Sequence, residues 1–315
     1  MTVAGWPNGT NGSSLTQLSQ PFGISITNNN VLYISDTNNN RIVIVDLTSN
    51  TNISIIGSGP GSNPTQFNMP FNLFLTHTSL YVIELINLRL QKVPLNGSNP
   101  STVVSMSGFD WAIFFYVDGD ENIYVSVTQN DKVVFFRANT TNWIIVAGTG
   151  VVGANDNQLN GPFGVFVSSN QTLYVADCYN YRIMKWYSGA LTGIRVAGDG
   201  TPGMSSTQLN CPTQIIVDVN ENMYISERDN SRITRWNANA SFGECIAACT
   251  GIAGSARTEL NAPHSLAFDS AGSLYVSDRQ NHRIQKFQFL SYRKYYIRNQ
   301  QSNSCDKDKF HRLRS

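Results

Sequence analysis

The chain has 315 residues, of which 41% are hydrophobic and only 14% charged, against roughly a quarter charged in an average globular protein. The net charge of +1 is unevenly placed: after Phe289 seven basic residues stand against Asp306 and Asp308, giving +5, and the first 289 residues carry 15 basic and 19 acidic groups, giving −4. No run approaches the ~18 apolar residues of a membrane span, the mildly acidic body argues against a nucleic-acid surface, and five cysteines without a C-x-x-C pair fit neither a disulfide framework nor a zinc module.

In chain order the first strand-like piece is Thr2-Val3-Ala4-Gly5, with no basic region or apolar stretch that would make it a signal peptide. A Pro-led segment, Pro21-Phe22-Gly23-Ile24, follows, then an apolar residue before a tyrosine, Leu32-Tyr33. That pair recurs at Leu80-Tyr81, Ile123-Tyr124, Leu173-Tyr174, Met223-Tyr224 and Leu274-Tyr275, in steps of 48, 43, 50, 50 and 51 residues. Six residues after each Tyr stands an Asn (Asn39, Asn87, Asn130, Asn180, Asn230, Asn281), and eight after it a base (Arg41, Arg89, Lys132, Arg182, Arg232, Arg283). Runs such as Arg182-Ile183-Met184-Lys185-Trp186 come next, then a short apolar strand ending in glycine, as in Ile144 to Gly148. Four short strands per unit, six times over, predict an all-β, six-bladed β-propeller of four-stranded antiparallel blades.

In five units an acidic residue stands three after the Tyr: Asp36, Glu84, Asp177, Glu227 and Asp278. It and the base five residues later should face each other at a hairpin base, with the Asn supplying the left-handed turn residue. The third unit has Val127 and Lys132 instead. These residues read as a hairpin lock. The last unit stops after its third strand near Phe289, and Thr2 to Gly5 matches the fourth strands Val146-Ala147-Gly148 and Val196-Ala197-Gly198, so the amino-terminal strand should complete the last blade. One propeller over residues 1–289 and a basic, disordered tail over 290–315 follow as the expected organisation.

The Asn-x-basic-apolar signature, clearest at Asn281-His282-Arg283-Ile284, resembles the NHL repeat over roughly residues 2–289. The resemblance implies a six-bladed propeller and several roles known among such proteins: substrate recognition in tripartite-motif ubiquitin ligases, RNA binding, extracellular adhesion, and zinc-dependent peptidylglycine amidating lyases. The lyases hold zinc through several histidines at the central channel. Here the residues after each Pro, expected to line the channel mouth, are Phe22, Phe71, Phe163, Thr213 and His264, with Ala112-Ile113 in the third unit. One histidine cannot supply the three converging ligands of a zinc site, and His77, His282 and His311 lie elsewhere. Neither metal, cofactor nor catalytic residue is expected, and no RING is present for a complete ligase.

Binding is therefore expected on the face carrying the hairpin turns, where loops are free to vary. Leu85, Ile86 and Leu88 in one turn and Tyr179 and Tyr181 in another are apolar for exposed loops, and Arg228, Arg279 and His282 extend the same face. The expected partner is a protein or glycan bound by a monomer, with no nucleic acid and no membrane span. A ubiquitin-ligase recognition domain and a metal-dependent lyase are the alternatives. Sequons at Asn8, Asn11, Asn52, Asn96, Asn139, Asn170 and Asn239 lean towards the extracellular space. Cys178 and Cys211 should emerge on the same face of adjacent blades, where a disulfide is open to them. Cys245 and Cys249, about 13 Å apart on an extended strand, should be too far apart to bridge, and buried free thiols are the expected state of most cysteines.

Overall fold

A computed structural model describes residues 1–49, 53–109 and 111–288. The basic tail with His311, and the sequon residue Asn52, lie outside the described residues. The strand β1 (Thr2–Ala4) is followed by six sets of strands. Blade one is β2 (Pro21–Ile26), β3 (Val31–Asp36), β4 (Arg41–Asp46) and β5 (Ile53–Ile56); blade two is β6 (Pro70–Leu75), β7 (Ser79–Glu84), β8 (Arg89–Pro94) and β9 (Ser101–Ser105). Blade three is β10 (Ala112–Val117), β11 (Ile123–Val127), β12 (Lys132–Phe136) and β13 (Trp143–Gly148); blade four is β14 (Pro162–Val167), β15 (Leu173–Asp177), β16 (Arg182–Trp186) and β17 (Ile194–Ala197). Blade five is β18 (Pro212–Val217), β19 (Met223–Glu227), β20 (Arg232–Trp236) and β21 (Gly243–Ala247), and blade six is β22 (Pro263–Phe268), β23 (Leu274–Asp278) and β24 (Arg283–Phe287) with β1 as its fourth strand.

Each blade is an antiparallel meander, and the first strand of each touches the first strands of both neighbours, which closes the ring. Both faces of a blade are covered, so its inner strands are buried nearly throughout rather than alternately. Aromatic rings meet edge to face between blades, as Phe74 with Tyr116 and Tyr116 with Phe166. The tyrosines that mark the repeat are part of this packing, and Lys92, Lys185 and Lys286 stretch over the rings of Tyr81, Tyr174 and Tyr275.

The predicted lock is present and reaches further than a hairpin. Asp36 pairs directly across from Arg41, whose Nε donates to it at 2.7 Å, and Asn39 donates to the same carboxylate at 2.8 Å. Arg41 then spends its remaining donors on the carbonyls of Ser13, Ser14 and Gln17, in the loop that enters the blade. The backbone N–H of Ser19 closes the circuit on Asp36. The same set of partners recurs around Glu84, Asp177, Glu227 and Asp278. Burial pushes the carboxyls of Asp36, Asp177, Glu227 and Asp278 above their usual range, and the Asn, backbone and Arg donors pull them back.

The Asn does not take the left-handed position expected of it. In blades one, three, four and six it ends a one-turn 3₁₀ segment, and in all six blades the next residue is left-handed: Asn40, Leu88, Asp131, Tyr181, Ser231 and His282, with φ between 47° and 55°. The Asn is fixed by what its amide binds, since it bridges the acid to a loop carbonyl such as Gly153. Blade three, lacking the acid and arginine, is entered by the short loop 106–111 instead of one like 149–161, so there is no long loop to clamp.

Blade six is closed by the pairing of β1 with β24. The amino group of Met1 donates to the carbonyl of Lys286 at 2.6 Å, the Lys286 N–H returns to Met1, and Thr2 sits opposite Gln285. Fully buried Arg283 adds a bond to the carbonyl of Pro7 at 2.6 Å beside its clamp. Deleting Met1 to Gly5 should remove these bonds and bare the edge of β24. A loss of about 3 kcal/mol should lower the melting temperature by roughly 5 °C for a chain of this size; calorimetry showing an unchanged transition would refute the closure. Arg283→Leu should strand Asp278 as a buried charge and cost about 3–5 kcal/mol, whereas Lys132→Ala in the unclamped blade should cost under about 1 kcal/mol by denaturant unfolding.

Candidate interaction face

Because Pro21 pairs with Asp36, the first strand of each blade starts at the end that carries the clamped hairpins. Those hairpins and the loops entering each blade form one face, the turn face. The residues expected to line the channel mouth converge there, but they close the mouth. Phe22 contacts Phe71 at 4.4 Å, His264 at 4.3 Å and Phe114 at 5.3 Å between ring centres, and Phe114 reaches Phe163 at 5.7 Å. All five are buried. Thr213 is buried beside them but turned aside, bonded to the Ser226 hydroxyl and the Pro263 carbonyl. The third blade delivers Phe114 rather than Ala112 or Ile113, from the strand position that holds Gly23 in blade one and Gly164 in blade four. Gly23 and Gly164 stand next to these rings, where a side chain would collide with the neighbouring strand's backbone. Beyond the plug the channel widens into a cavity of about 150 Å³ lined by residues such as Ile24, Asn72, Phe115 and Gln214.

His264 is held neutral in this plug. Burial, and then the charge of Arg279, lower its pKa from 6.5 to about 3, and its Nδ1 bonds the carbonyl of Ala262 at 2.9 Å. Among the described residues no three His, Cys, Asp or Glu side chains converge as metal ligands.

Arg228 and Arg279 lie over the plug. The guanidinium of Arg228 covers the Phe163 ring and that of Arg279 the Phe22 ring, each 5.8 Å from the ring centre. Arg228 is paired with Asp229, while Arg279 donates to the neutral side chain of Gln20 at 2.8 Å. Burial and the nearby charge of Arg228 lower the pKa of Arg279. His282 is half-buried at the seam between blades six and one, where its Nδ1 accepts from the Gln20 N–H.

The apolar turn residues divide. Ile86 is 55% exposed, and Leu88 and Tyr179 are exposed as well, whereas Leu85 is half-buried against the core around Phe71 and Tyr181 is half-buried in its left-handed turn position. Trp111, which the sequence reading passed over, is 46% exposed on the same face, in the loop position that directly precedes the first strand. Its place before Ala112, where other blades carry a Pro-preceding loop residue, was the available signal.

Two cysteine expectations are decided. Cys178 and Cys211 form a buried disulfide with Cα atoms 4.1 Å apart, joining the turn of blade four to the loop entering blade five. Cys245 and Cys249, expected to be too far apart, also form a disulfide, with Cα atoms 5.6 Å apart. The extended spacing does not apply, because β21 ends at Ala247 and Ala248 is left-handed, which folds the chain back. These four cysteines are therefore bridged rather than free thiols.

The NHL repeat model matches residues 18–45 and 260–287, the first and last hairpin regions of the ring. The chain is a six-bladed β-propeller with NHL-repeat matches in its first and last blades. No curated protein matches it by sequence. Among solved structures, a Bacteroides thetaiotaomicron protein of unknown function is similar with a TM-score of 0.74 at 15% identity, over 91% of this chain and 74% of that one. An auxiliary nutrient binding protein of the same organism gives 0.67 at 14%, over 92% and 76%. A catalytically inactive virginiamycin B lyase of Staphylococcus aureus with quinupristin gives 0.58 at 12%, over 89% and 82%. Identities this low establish the shared fold alone. Among the described residues of this propeller no helix is long and apolar enough to cross a membrane.

The plug makes a pH prediction. Between about pH 6.5 and 3 the unfolded chain binds a proton at His264 that the folded chain does not, so stability should fall as pH falls through this window. From pH 7.5 to 4.5 the loss should be about 2–3 kcal/mol, and His264→Phe should remove that portion of the acid limb in denaturant titrations. Equal acid limbs for the two proteins would show that His264 titrates normally.

Proposed function

We propose that this propeller is a non-catalytic interaction scaffold that takes a protein or glycan partner on its turn face. The observation that carries the reading is the closed mouth. Tilted, closely packed rings of Phe22, Phe71, Phe114, Phe163 and His264 fill the position where a propeller enzyme would need an accessible well, leaving a floor rather than a reaction chamber. Around that floor Ile86, Leu88, Trp111 and Tyr179 expose large apolar surface, the kind that marks partner contacts. Arg228 and Arg279 add positive charge above the rings, and Arg is enriched at such contacts. The fold likeness to a nutrient binding protein is compatible with this role, and the likeness to a lyase is the reason to test it against catalysis.

The test compares the wild-type chain with Ile86→Ser, Leu88→Asn and Tyr179→Ser combined, Asn being suited to the left-handed backbone at residue 88. Both are screened against glycan arrays and against proteins from the surroundings of the producing cell. A specific partner should bind the wild type and lose at least about tenfold, or ~1.4 kcal/mol, in the variant, with melting temperatures within about 2 °C of each other. A partner whose affinity ignores these substitutions would move the site elsewhere, and turnover of a bound ligand would overturn the non-catalytic reading.

A further inference from the structure

Six of the seven sequons fall on described residues, and all six asparagines are exposed. Their distribution is uneven. Asn96 lies between β8 and β9, Asn139 between β12 and β13, Asn170 between β14 and β15, and Asn239 between β20 and β21. All four loops are at the blade ends opposite the clamped hairpins. Asn8 and Asn11 alone are at the turn end, in the segment following β1, where Gly9 lies against Asn281. The left-handed backbone at Asn139 and Asn239, with φ of 59° at both, accounts for an Asn there. It does not account for Thr141 and Ser241 two residues further on. At Asn96 the Ser98 hydroxyl donates to the side-chain oxygen at 2.7 Å, which leaves Nδ2 outward on an exposed loop without a hydrogen bond among the described residues.

The disulfides point the same way independently. Two bridges, one of them buried between blades, belong to a chain that folds where thiols are oxidised. That is also the environment in which sequons meet the glycosylation machinery.

We propose that Asn96, Asn139, Asn170 and Asn239 carry N-linked glycans that coat the face opposite the turn face. In each case the side-chain Nδ2 forms a bond to the anomeric carbon of an oligosaccharide held on a lipid diphosphate. The carbon–oxygen bond to the diphosphate breaks, the lipid diphosphate leaves with the electron pair, and Nδ2 gives up one proton. The coat directs the propeller: four glycans lie on one face, and at the other end only the segment with Asn8 and Asn11 holds described sequons. This placement is independent of any partner and stands or falls on its own.

The chain isolated from the cells that make it would be treated with a peptide N-glycosidase in heavy-oxygen water, digested and mapped by mass spectrometry. The expected result is isotope-labelled conversion of Asn to Asp at these positions, a downward gel shift on treatment, and no free thiol at Cys178, Cys211, Cys245 or Cys249. Occupancy at three or four of the four positions carries the proposal. Occupancy at two or fewer, or at Asn8 and Asn11 alone, overturns it, as do free thiols at those four cysteines. Partner binding measured before and after sugar removal keeps the two ideas apart, because turn-face binding should stay within about twofold whatever the glycan map shows.

Discussion

The carboxylate at the end of the second strand in five of the six blades is the pivot of this molecule. A buried carboxylate is expensive unless its lone pairs are filled, and here each is filled by an arginine across the hairpin, an asparagine from the turn and a backbone N–H from the entering loop. Those donors come from separate stretches of chain, so satisfying one charge fixes the hairpin, the loop and their mutual position together. Long irregular loops are ordinarily the mobile parts of a fold. In this propeller five of them are tied down by arginine fingers on their carbonyls, and the face they build is correspondingly preorganised, which lowers the ordering cost of binding.

The aromatic plug depends on the same framework. The clamped loops set where each first strand begins, and the first strands carry Phe22, Phe71, Phe163 and His264 to the axis at one level. The one blade without a clamp is also the one whose ring comes from a different register position, Phe114. The disulfide between Cys178 and Cys211 occupies the place where Thr37 and Thr128, in other blades, donate to the following blade's proline carbonyl. A covalent link thus substitutes for a hydrogen bond at one of the six seams.

Much of this was legible in the sequence because the repeat is periodic. Six tyrosines at near-constant spacing, with Asn and a base at fixed offsets, dictate blade number, hairpin position and the closing role of residues 2–4. What escaped the reading was non-periodic or non-local. The reach of Arg41 or Arg182 to loop carbonyls more than twenty residues upstream has no spacing rule to reveal it. Phe114 enters the plug from the position where blades one and four carry glycine, one residue beyond the Pro-following place that the repeat marks. The Cys245–Cys249 bridge turns on Ala248, an ordinary alanine in a left-handed conformation that no composition rule anticipates. On the turn face, the types of residue at Ile86, Leu88 and Tyr179 were informative, while the half-burial of Leu85, Tyr181 and His282 was set by neighbours distant in sequence.

The pairing of β1 with β24 also orders events during synthesis. Strands β2 to β23 can each find their partners as they emerge, since every other pairing within a blade is between consecutive strands. β1 is made first and paired last, after nearly three hundred residues of separation, and until then blade six lacks a strand and Arg283 lacks the carbonyl of Pro7. The ring therefore passes through a stage in which five blades are complete and one edge is open on each side of a single gap. The strand that fills the gap has only three residues, which limits how sticky the unpaired segment can be while it waits.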